Sequence, residues 1–225
     1  MPSLYKTKIL TSIKSLSEIN LVLKKKVDII DFKDPASGSL GDLPTKKINF
    51  FLKYIPSTQL TSATIGDIKD LEEIKKKTIM LSKTKVDFIK IGFFFNENKI
   101  KSLVNLKKLA KKKIIAVLFA DNKPNLKVIK EIKKIKFDGI LIDTENKKNG
   151  NLRNYLSKNR IKNFINASKK QNLSIGLAGS LNIKDINPLI ELGPDYLGFR
   201  GAMCEKNKRK ENISEALLDR LISKF

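Results

Sequence analysis

Short apolar runs alternate with longer amphipathic segments along the chain. The apolar runs predict strands at residues 9–13, 27–33, 60–66, 88–93, 114–120, 139–143, 174–178 and 196–199. Several of these runs are continuously β-branched or aliphatic, which is typical of parallel strands that are buried on both faces. Between them, a helical periodicity of apolar positions predicts helices at residues 17–25, 46–54, 70–82, 99–112, 126–135, 152–170, 183–192 and 214–223.

This strict alternation of strands and helices predicts an α/β fold. The eight pairs predict a closed parallel (β/α)₈ barrel, or TIM barrel, in which residues 1–225 form one catalytic domain. An open doubly wound sheet is the competing fold, and five or six strands would suit it better. Residues 34–43, 146–151 and 204–212 are the expected irregular segments.

The composition indicates a globular protein in a reducing compartment. Hydrophobic residues make up 41% of the chain, enough for a buried core. We find neither an apolar stretch long enough for a signal peptide nor one that approaches a membrane span. Cys204 is the only cysteine and cannot form an intramolecular disulfide. We therefore expect a cytoplasmic protein without a membrane partner; a homo-oligomer is compatible with the sequence.

The chain contains no histidine. This absence excludes Ser-His-Asp and Cys-His catalysis and the usual zinc sites, which need imidazole or several thiolates. Lysines, carboxylates, hydroxyls and backbone groups must then carry the chemistry, and no metal site is expected. Cys204 lacks a basic imidazole partner, so we expect it to be inert.

The net charge of +23 raises the question of a nucleic-acid partner. Arginine is the preferred residue for binding bases and phosphates, yet most of the basic residues are lysines. The lysines are also spread over the predicted helices, as at 75–77, 111–113 and 133–134. This distribution favours a solvated surface and no nucleic-acid partner; attraction of anionic substrates and nucleic-acid binding are the alternatives.

Two predicted strands carry lysines that point into the barrel. Active sites of such barrels lie at the carboxyl ends of the strands. Asp31 and Lys33 are two residues apart in the second strand and share a face, while Ile30 and Phe32 would pack against helices. The alternative is a buried Asp–Lys pair that closes a core layer. Lys90, flanked by isoleucines in the fourth strand, is expected to point inward, unless it snorkels to the rim.

The sixth strand adds a second acid–lysine pair. Asp143 ends this strand, and Lys147 lies four residues further on, close enough to fold back over the rim. Several ammonium groups in one partly desolvated mouth would lower the pKa of a lysine. A neutral lysine amine can attack a carbonyl carbon, which is the principle of lysine-based aldolases.

The loops after the last two strands suggest a phosphate site. Gly179 and Ser180 follow the seventh strand, and Arg200 and Gly201 follow the eighth. Small residues let backbone N–H groups approach an anion, and these loops often bind phosphate in barrels. We expect Arg200 to add a bidentate contact. Ser39, after the second strand, is a further candidate substrate contact. The alternative for each loop is a simple turn.

Residues 31–41, DFKDPASGSLG, resemble the D-x-K-[ND]-P-x-x-G-S-L-G segment of the (5-formylfuran-3-yl)methyl phosphate synthase family. Phe32 stands where a smaller aliphatic residue is common. The resemblance covers nearly the whole chain, because further stretches match in order at residues 62–67, 88–92, 141–144 with 147, 176–181 and 198–205.

The resemblance implies a Schiff-base-forming, aldolase-like lyase of methanofuran and methylofuran biosynthesis, within one-carbon metabolism. Its implied reaction joins two glyceraldehyde 3-phosphates into the furan phosphate, losing one phosphate and two waters. The lysine matching Lys33 forms the Schiff base and the one matching Lys90 is the proton acceptor. Residues matching Asp31, Asp143 and Lys147 serve the same site, where we expect Asp31 to orient Lys33 and the other two to relay protons.

No metal or organic cofactor is expected, because the imine itself is the electron sink. Two other functions remain open at this point. One is another Schiff-base phosphosugar aldolase or isomerase on the same barrel, which would share Lys33 and the phosphate loops. The other is a basic nucleic-acid-binding protein, which would give no reason for lysines inside two strands.

Overall fold

Eight parallel strands close into a barrel in the computed structural model, which describes residues 6–94, 97–147 and 149–225. Each strand pairs in parallel with the next, and β8 pairs with β1 to complete the ring. The predicted TIM barrel is thus confirmed. The strands are β1 (Lys8–Ile13), β2 (Ile29–Phe32), β3 (Leu60–Thr64), β4 (Phe88–Gly92), β5 (Lys113–Phe119), β6 (Gly139–Asp143), β7 (Ser174–Leu177) and β8 (Tyr196–Phe199).

Helices follow the strands and cover the outside of the barrel. They are α1 (Leu16–Lys24), α2 (Thr45–Leu52), α3 (Leu71–Ser82), α4 (Leu106–Ala110), α5 (Val128–Lys134), α6 (Leu152–Tyr155), α7 (Lys158–Lys170), α8 (Ile186–Ile190) and α9 (Glu215–Ile222). Within the described ranges, none of them has both the length and the apolar character needed to cross a membrane.

The helix predicted at residues 152–170 is interrupted. Leu156 between α6 and α7 is extended, with φ of −124° and ψ of 128°. The next residue, Ser157, caps α7 by accepting a hydrogen bond from the backbone N–H of Arg160 at 3.3 Å. A serine cap satisfies an N–H that has no partner inside the helix, so it starts a new helix despite the continuous apolar pattern.

Two other predicted helices are also only partly α-helical. Residues Glu97–Leu103 form a 3₁₀ helix before α4. Residues Ile183–Asp185 form another one before α8, whose first turn contains Pro188. Proline has no N–H and clashes with the carbonyl four residues before it, so it belongs in the first turn of a helix. A continuous α-helix through residues 183–192 is therefore disfavoured.

Four aspartates fix the amino end of the barrel. Asp28, Asp87, Asp138 and Asp195 immediately precede the even-numbered strands. Each carboxylate accepts a hydrogen bond from a backbone N–H of the preceding odd-numbered strand, at 2.7 or 2.8 Å. These bonds satisfy strand ends that have lost their ladder partner. The repeated bond ties adjacent strands together far from the loops that bear the site.

The alternation of side chains along the strands decides what points into the barrel. Ile30, Phe32, Ile89 and Ile91 face outward and pack in the main apolar core against the helices. Their neighbours face the barrel interior. The lower interior is apolar, with a separate cluster that includes Leu10, Ile29, Ile115, Leu141 and Tyr196. The upper interior is polar, and the site lies there.

Candidate active site

A cavity of about 860 Å³ opens at the carboxyl ends of the strands. Its walls come from β1, β4, β6 and β8 and from the loops after β2, β6, β7 and β8. The polar side chains that line it include Ser12, Lys33, Lys90, Asp143, Lys147 and Arg209. Three of the expected lysines therefore meet in one space, although they are far apart in the sequence.

Lys33 lies just after β2 and is 7% exposed. Its nearest carboxylate oxygen among the described residues is Asp143 Oδ2, at 3.9 Å. Burial lowers the pKa of Lys33, and the charges of Lys147, Lys90 and Arg209 lower it further. These effects outweigh the attraction of Asp143 and bring the pKa to about 7. About half of the Lys33 amines are then uncharged at neutral pH.

Asp143, at the end of β6, serves two lysines. Lys147 Nζ donates a hydrogen bond to Asp143 Oδ1 and lies 3.3 Å from Thr144 Oγ1. The backbone N–H of Thr144 also donates to Asp143 Oδ1, at 2.8 Å. Burial by itself would raise the pKa of Asp143, but Lys147, Lys33 and these hydrogen bonds lower it to about 2. Asp143 is therefore a fixed anion, and burial lowers the pKa of Lys147 beside it.

Asp31 pairs with Lys90, which corrects the expectation that it orients Lys33. Asp31 Oδ2 lies 2.7 Å from Lys90 Nζ, and both side chains are almost completely buried. The carboxylate also accepts hydrogen bonds from Ser12 Oγ at 2.8 Å and Ser62 Oγ at 2.7 Å. Asp31 sits two residues deeper along β2 than Lys33, so its carboxylate faces Lys90 on β4 while Lys33 reaches towards β6.

The loop after β7 lines the cavity with residues whose backbone N–H groups are not used within the described part of the chain. Gly179 and Ser180 have positive φ values of 100° and 51°. Among the described residues, the N–H groups of Gly179, Ser180 and Leu181 have no acceptor. A Cβ on Gly179 would lie 2.9 Å from Thr144 Cγ2, so this close approach requires glycine. Consecutive N–H groups in such a turn form a concave anion site, which we name the β7 nest.

Gly201, also expected near phosphate, lines the same cavity. It begins a short 3₁₀ helix, Gly201–Met203, directly after β8. The first N–H groups of a helix have no partner within it, so they are available to a ligand. The loops after β7 and β8 thus meet at the cavity as the sequence suggests.

Arg200 does not fit the expected bidentate phosphate contact. Its Nε donates to Arg209 O at 2.8 Å, and its Nη2 donates to Glu211 O at 2.6 Å. Its Nη1 donates to Ser12 O at 3.0 Å, and both terminal nitrogens bind the Glu18 carboxylate at 2.9 Å. The five N–H groups of a guanidinium are then used by protein acceptors. The partner Glu18 lies in α1, far away in sequence, so local pattern could not reveal this role.

Ser39 does not line the cavity, whereas Arg200 does. Its N–H donates to Asp67 Oδ2 at 2.7 Å, and its Oγ donates to the same carboxylate at 3.1 Å. The N–H of Leu40 binds the other oxygen of Asp67, also at 2.7 Å. Asp67 therefore holds the turn after β2, and the Ser39 hydroxyl is used within the protein. A Cβ on Gly38 would lie 2.3 Å from Asp67 Oδ2, which explains that glycine.

Arg209 is a charged residue of the cavity that sequence reasoning missed. It lies in the charged segment after β8, where Lys206, Lys208 and Lys210 give no local reason to prefer it. Its Nη2 donates to Gly38 O at 3.1 Å. Burial lowers the pKa of Arg209, which nevertheless remains far above neutrality as for any arginine.

Two other kinds of chemistry have little support in the described residues. Cys204 is buried, and burial raises the pKa of its thiol, which disfavours the reactive thiolate. No group of three or more cysteine, aspartate or glutamate side chains in residues 6–94, 97–147 and 149–225 is placed to hold a metal ion.

Solved structures with the same architecture include two enzymes whose names refer to phosphorylated sugars. The chain aligns with 3-hexulose-6-phosphate synthase at a TM-score of 0.68 and 15% identity, covering 97% of this chain and 100% of that one. Phosphoribosyl anthranilate isomerase from Thermus thermophilus gives 0.71 and 11%, covering 97% and 98%. At these identities the likeness concerns the fold. The barrel and its lysine-lined cavity define a (β/α)₈-barrel enzyme.

Sequence similarity shows the family to which the chain belongs. The family model of 4-HFC-P synthase matches residues 9–222, and the chain belongs to this family. A (5-formylfuran-3-yl)methyl phosphate synthase of Methanococcus maripaludis (strain C5) is 29% identical over 221 residues, covering 90% of this chain and 92% of its own. A Methylorubrum extorquens protein, provisionally named for the same activity, is 32% identical over 209 residues, covering 93% and 87%. The resemblance seen in the sequence is thereby confirmed.

Proposed function

We propose that this protein condenses two molecules of glyceraldehyde 3-phosphate into (5-formylfuran-3-yl)methyl phosphate, with loss of one phosphate and two waters. It would act as a lyase in methanofuran or methylofuran biosynthesis, and its relatives are named for this product. One observation carries the proposal: the buried Lys33, whose pKa is lowered to about 7, shares a cavity with the β7 nest.

Lys33 is the proposed nucleophile. An ordinary lysine is uncharged in only about one molecule in 2,500 at pH 7, whereas a pKa near 7 makes the free amine abundant. The Lys33 amine adds to the aldehyde of one triose phosphate, and loss of water gives an imine. The protonated imine withdraws electrons from the adjacent carbon. Asp143 Oδ2, 3.9 Å from the Lys33 nitrogen, stabilises the positive charge that forms there.

Lys90 is the proposed proton acceptor. The adjacent Asp31 carboxylate, 2.7 Å away, holds the Lys90 amine in position and stabilises the ammonium that forms when this amine accepts a proton. Lys90 then removes a proton from the carbon next to the imine. The hydroxyls of Ser12 and Ser62 keep Asp31 in place by donating to both of its oxygens. General-base help of this kind contributes roughly 10²–10⁴-fold to a rate.

Lys147 and Asp143 form the proposed relay for the dehydration steps. Lys147 donates a hydrogen bond to Asp143 and stands at the cavity wall. It can protonate a departing hydroxyl or phosphate oxygen, while the fixed charge of Asp143 stabilises its ammonium form. The β7 nest holds the phosphoryl group of one triose. Holding both reactants in one pocket can lower the activation barrier by up to roughly 7–11 kcal/mol.

Borohydride trapping tests the nucleophile. Incubation with glyceraldehyde 3-phosphate and sodium borohydride, followed by peptide mass mapping, should give a reduced adduct on Lys33. The adduct should be missing in Lys33→Ala and present in the control Lys206→Ala, which removes an exposed lysine outside the cavity. An adduct on Lys90 or Lys147 instead would refute the assignment of Lys33.

A second candidate function uses the same residues. A Schiff-base aldolase or isomerase acting on another phosphosugar would also need Lys33 and the β7 nest, and its fold is shared by the structures named above. The absorbance of a conjugated furan aldehyde, measured without borohydride, separates the two. Trapping on Lys33 without any furan product would favour this second candidate.

A further inference from the structure

The segment after β8 brings a cation to the cavity from a different side than the β7 nest. Arg209 contacts the loop after β2 through its hydrogen bond to Gly38 O. In the barrel, β1 and β8 lie between β2 and β7. Arg209 and the β7 nest therefore line one cavity but belong to separate parts of its rim.

A buried ion pair holds the backbone beside Arg209. Arg200 donates to the carbonyl oxygens of residues 209 and 211, and its partner Glu18 accepts a hydrogen bond from Ile213 N at 3.2 Å. Arg200 and Glu18 are 9% and 2% exposed. A buried pair of this kind adds little stability compared with apolar residues of the same size. Its observable consequence here is a fixed path for the chain that carries Arg209.

Most N–H groups of the Arg209 guanidinium are available for a ligand. Gly38 O accepts from Nη2, and the remaining N–H groups have no acceptor among the described residues. The positive charge of Arg209 acts on Lys33 and Lys147, and among the described residues that line the cavity the only carboxylates are Asp143 and Glu211. This part of the cavity thus carries excess positive charge, which an anionic ligand would balance. A planar fork of free N–H groups matches a phosphoryl group in particular.

We propose that Arg209 binds the phosphoryl group of the second triose phosphate, so that the cavity holds two phosphoryl groups, one at the β7 nest and one at Arg209. This inference rests on the proposed function, because a reaction of two phosphorylated trioses needs both sites at once. Arg200 and Glu18 act through Arg209 and are positioning residues. Arg200 is therefore important for phosphate binding without touching the phosphate.

Binding of sn-glycerol 3-phosphate tests the second site independently of catalysis. This compound has the phosphoryl group but no carbonyl, so it cannot form an imine. Calorimetric titration should give two molecules per chain for the unmodified protein and one for Arg209→Ala. The control Lys206→Ala removes a positive charge from the same segment without touching the cavity and should still bind two. Two molecules bound by Arg209→Ala, or one by the unmodified protein, would overturn the proposal.

Kinetics give a second test. Arg209→Ala should raise the KM for glyceraldehyde 3-phosphate by about tenfold to a hundredfold, as expected for losing charged hydrogen bonds. Borohydride trapping on Lys33 should continue, because the first triose keeps the β7 nest. Trapping with an unchanged KM would reject the Arg209 site and leave the proposed function intact, whereas failure of trapping in the unmodified protein would reject the proposed function.

Substitutions of Arg200 and Glu18 test their positioning role. Arg200→Lys keeps a positive charge but cannot hold Glu18 and both carbonyls together. It should therefore weaken the second glycerol 3-phosphate site and raise KM in the same way as Arg209→Ala, with thermal unfolding used to verify a folded chain. Glu18→Gln, which keeps a side-chain acceptor for Arg200, should restore most of the binding that Glu18→Ala loses. Arg200→Lys with an intact second site would refute the positioning role.

Discussion

The two inward-facing lysines of the barrel have opposite surroundings. Lys90 has one carboxylate to itself, Asp31, at 2.7 Å and fixed by two serine hydroxyls. Within the described part of the chain, the one carboxylate paired with Lys33 is the more distant Asp143, which also binds Lys147. Both lysines are buried, so the two sites differ in their charged neighbours and not in their exposure to solvent.

In the proposed mechanism, the balance of nearby charges separates the roles of the two lysines. Around Lys33, cations outnumber anions in a desolvated site, and the pKa falls to about 7. The resulting free amine suits a nucleophile. Around Lys90, the Asp31 carboxylate would stabilise the ammonium that forms when the amine accepts a proton, which suits a base. Three predictions test this division of labour.

The largest effect is expected for Lys90→Met. Furan formation should fall by roughly 10²–10⁴-fold, the usual contribution of a general base, while the reduced adduct on Lys33 persists. Single-turnover product formation and trapping yield measure the two steps separately. If Lys90→Met abolished the adduct and left the chain folded, the separation of roles would be wrong.

Loss of Lys90 also leaves Asp31 as a buried carboxylate without a cation, which costs about 3–5 kcal/mol in typical cases. The double variant Lys90→Met with Asp31→Asn removes that charge and serves as the control. It should unfold at a higher denaturant concentration than Lys90→Met and lose turnover to the same extent.

The second effect concerns stability. The pKa of Lys33 is lowered on folding from 10.5 to about 7, so the unfolded chain binds more protons between these values. The unfolding free energy of the unmodified protein should therefore rise with pH across that window. Lys33→Met removes the cost of burying a charged amine. Below pH 7 it should therefore stabilise the fold by a few kcal/mol, the free energy that corresponds to the pKa shift.

Urea unfolding from about pH 6 to 10 measures this gain, which should shrink as the pH approaches the unfolded pKa of 10.5. Lys206→Met, at an exposed position, provides the matched control and should show no such trend. A gain that is independent of pH would mean that side-chain packing, rather than the charge of Lys33, is responsible.

The smallest effect is a pair of opposite shifts in the pH profile. The rate of imine formation should rise about tenfold per pH unit below pH 7 and level off above it, as the Lys33 amine becomes free. Lys147 lowers the pKa of Lys33 and Asp143 raises it. Lys147→Met should therefore move the rise to higher pH, and Asp143→Asn should move it to lower pH.

Stopped-flow measurement of imine formation at several pH values checks the direction of each shift. The two variants are controls for each other, because each disrupts the same hydrogen bond between residues 143 and 147. Shifts in the same direction would point to a structural disturbance of the loop after β6, and would contradict an electrostatic origin of the low pKa.

The sequence by itself determined the barrel and the inward direction of its lysines. Strand side chains alternate between faces, so Ile30 and Phe32 on one face fix Asp31 and Lys33 on the other, and two isoleucines do the same for Lys90. This alternation is a local property of a strand. The eight apolar runs can likewise be recognised from the local sequence alone.

Only the tertiary structure decided which charged groups meet. Asp31 pairs with Lys90 across β3, and the Arg200 guanidinium binds Glu18 of α1. Arg209, rather than Arg200, keeps N–H groups available at the cavity that both residues line. These outcomes depend on depth in the barrel and on loop paths that residues remote in sequence impose. An ion pair needs a few ångströms of spatial proximity, and sequence spacing within one strand or loop does not encode that distance.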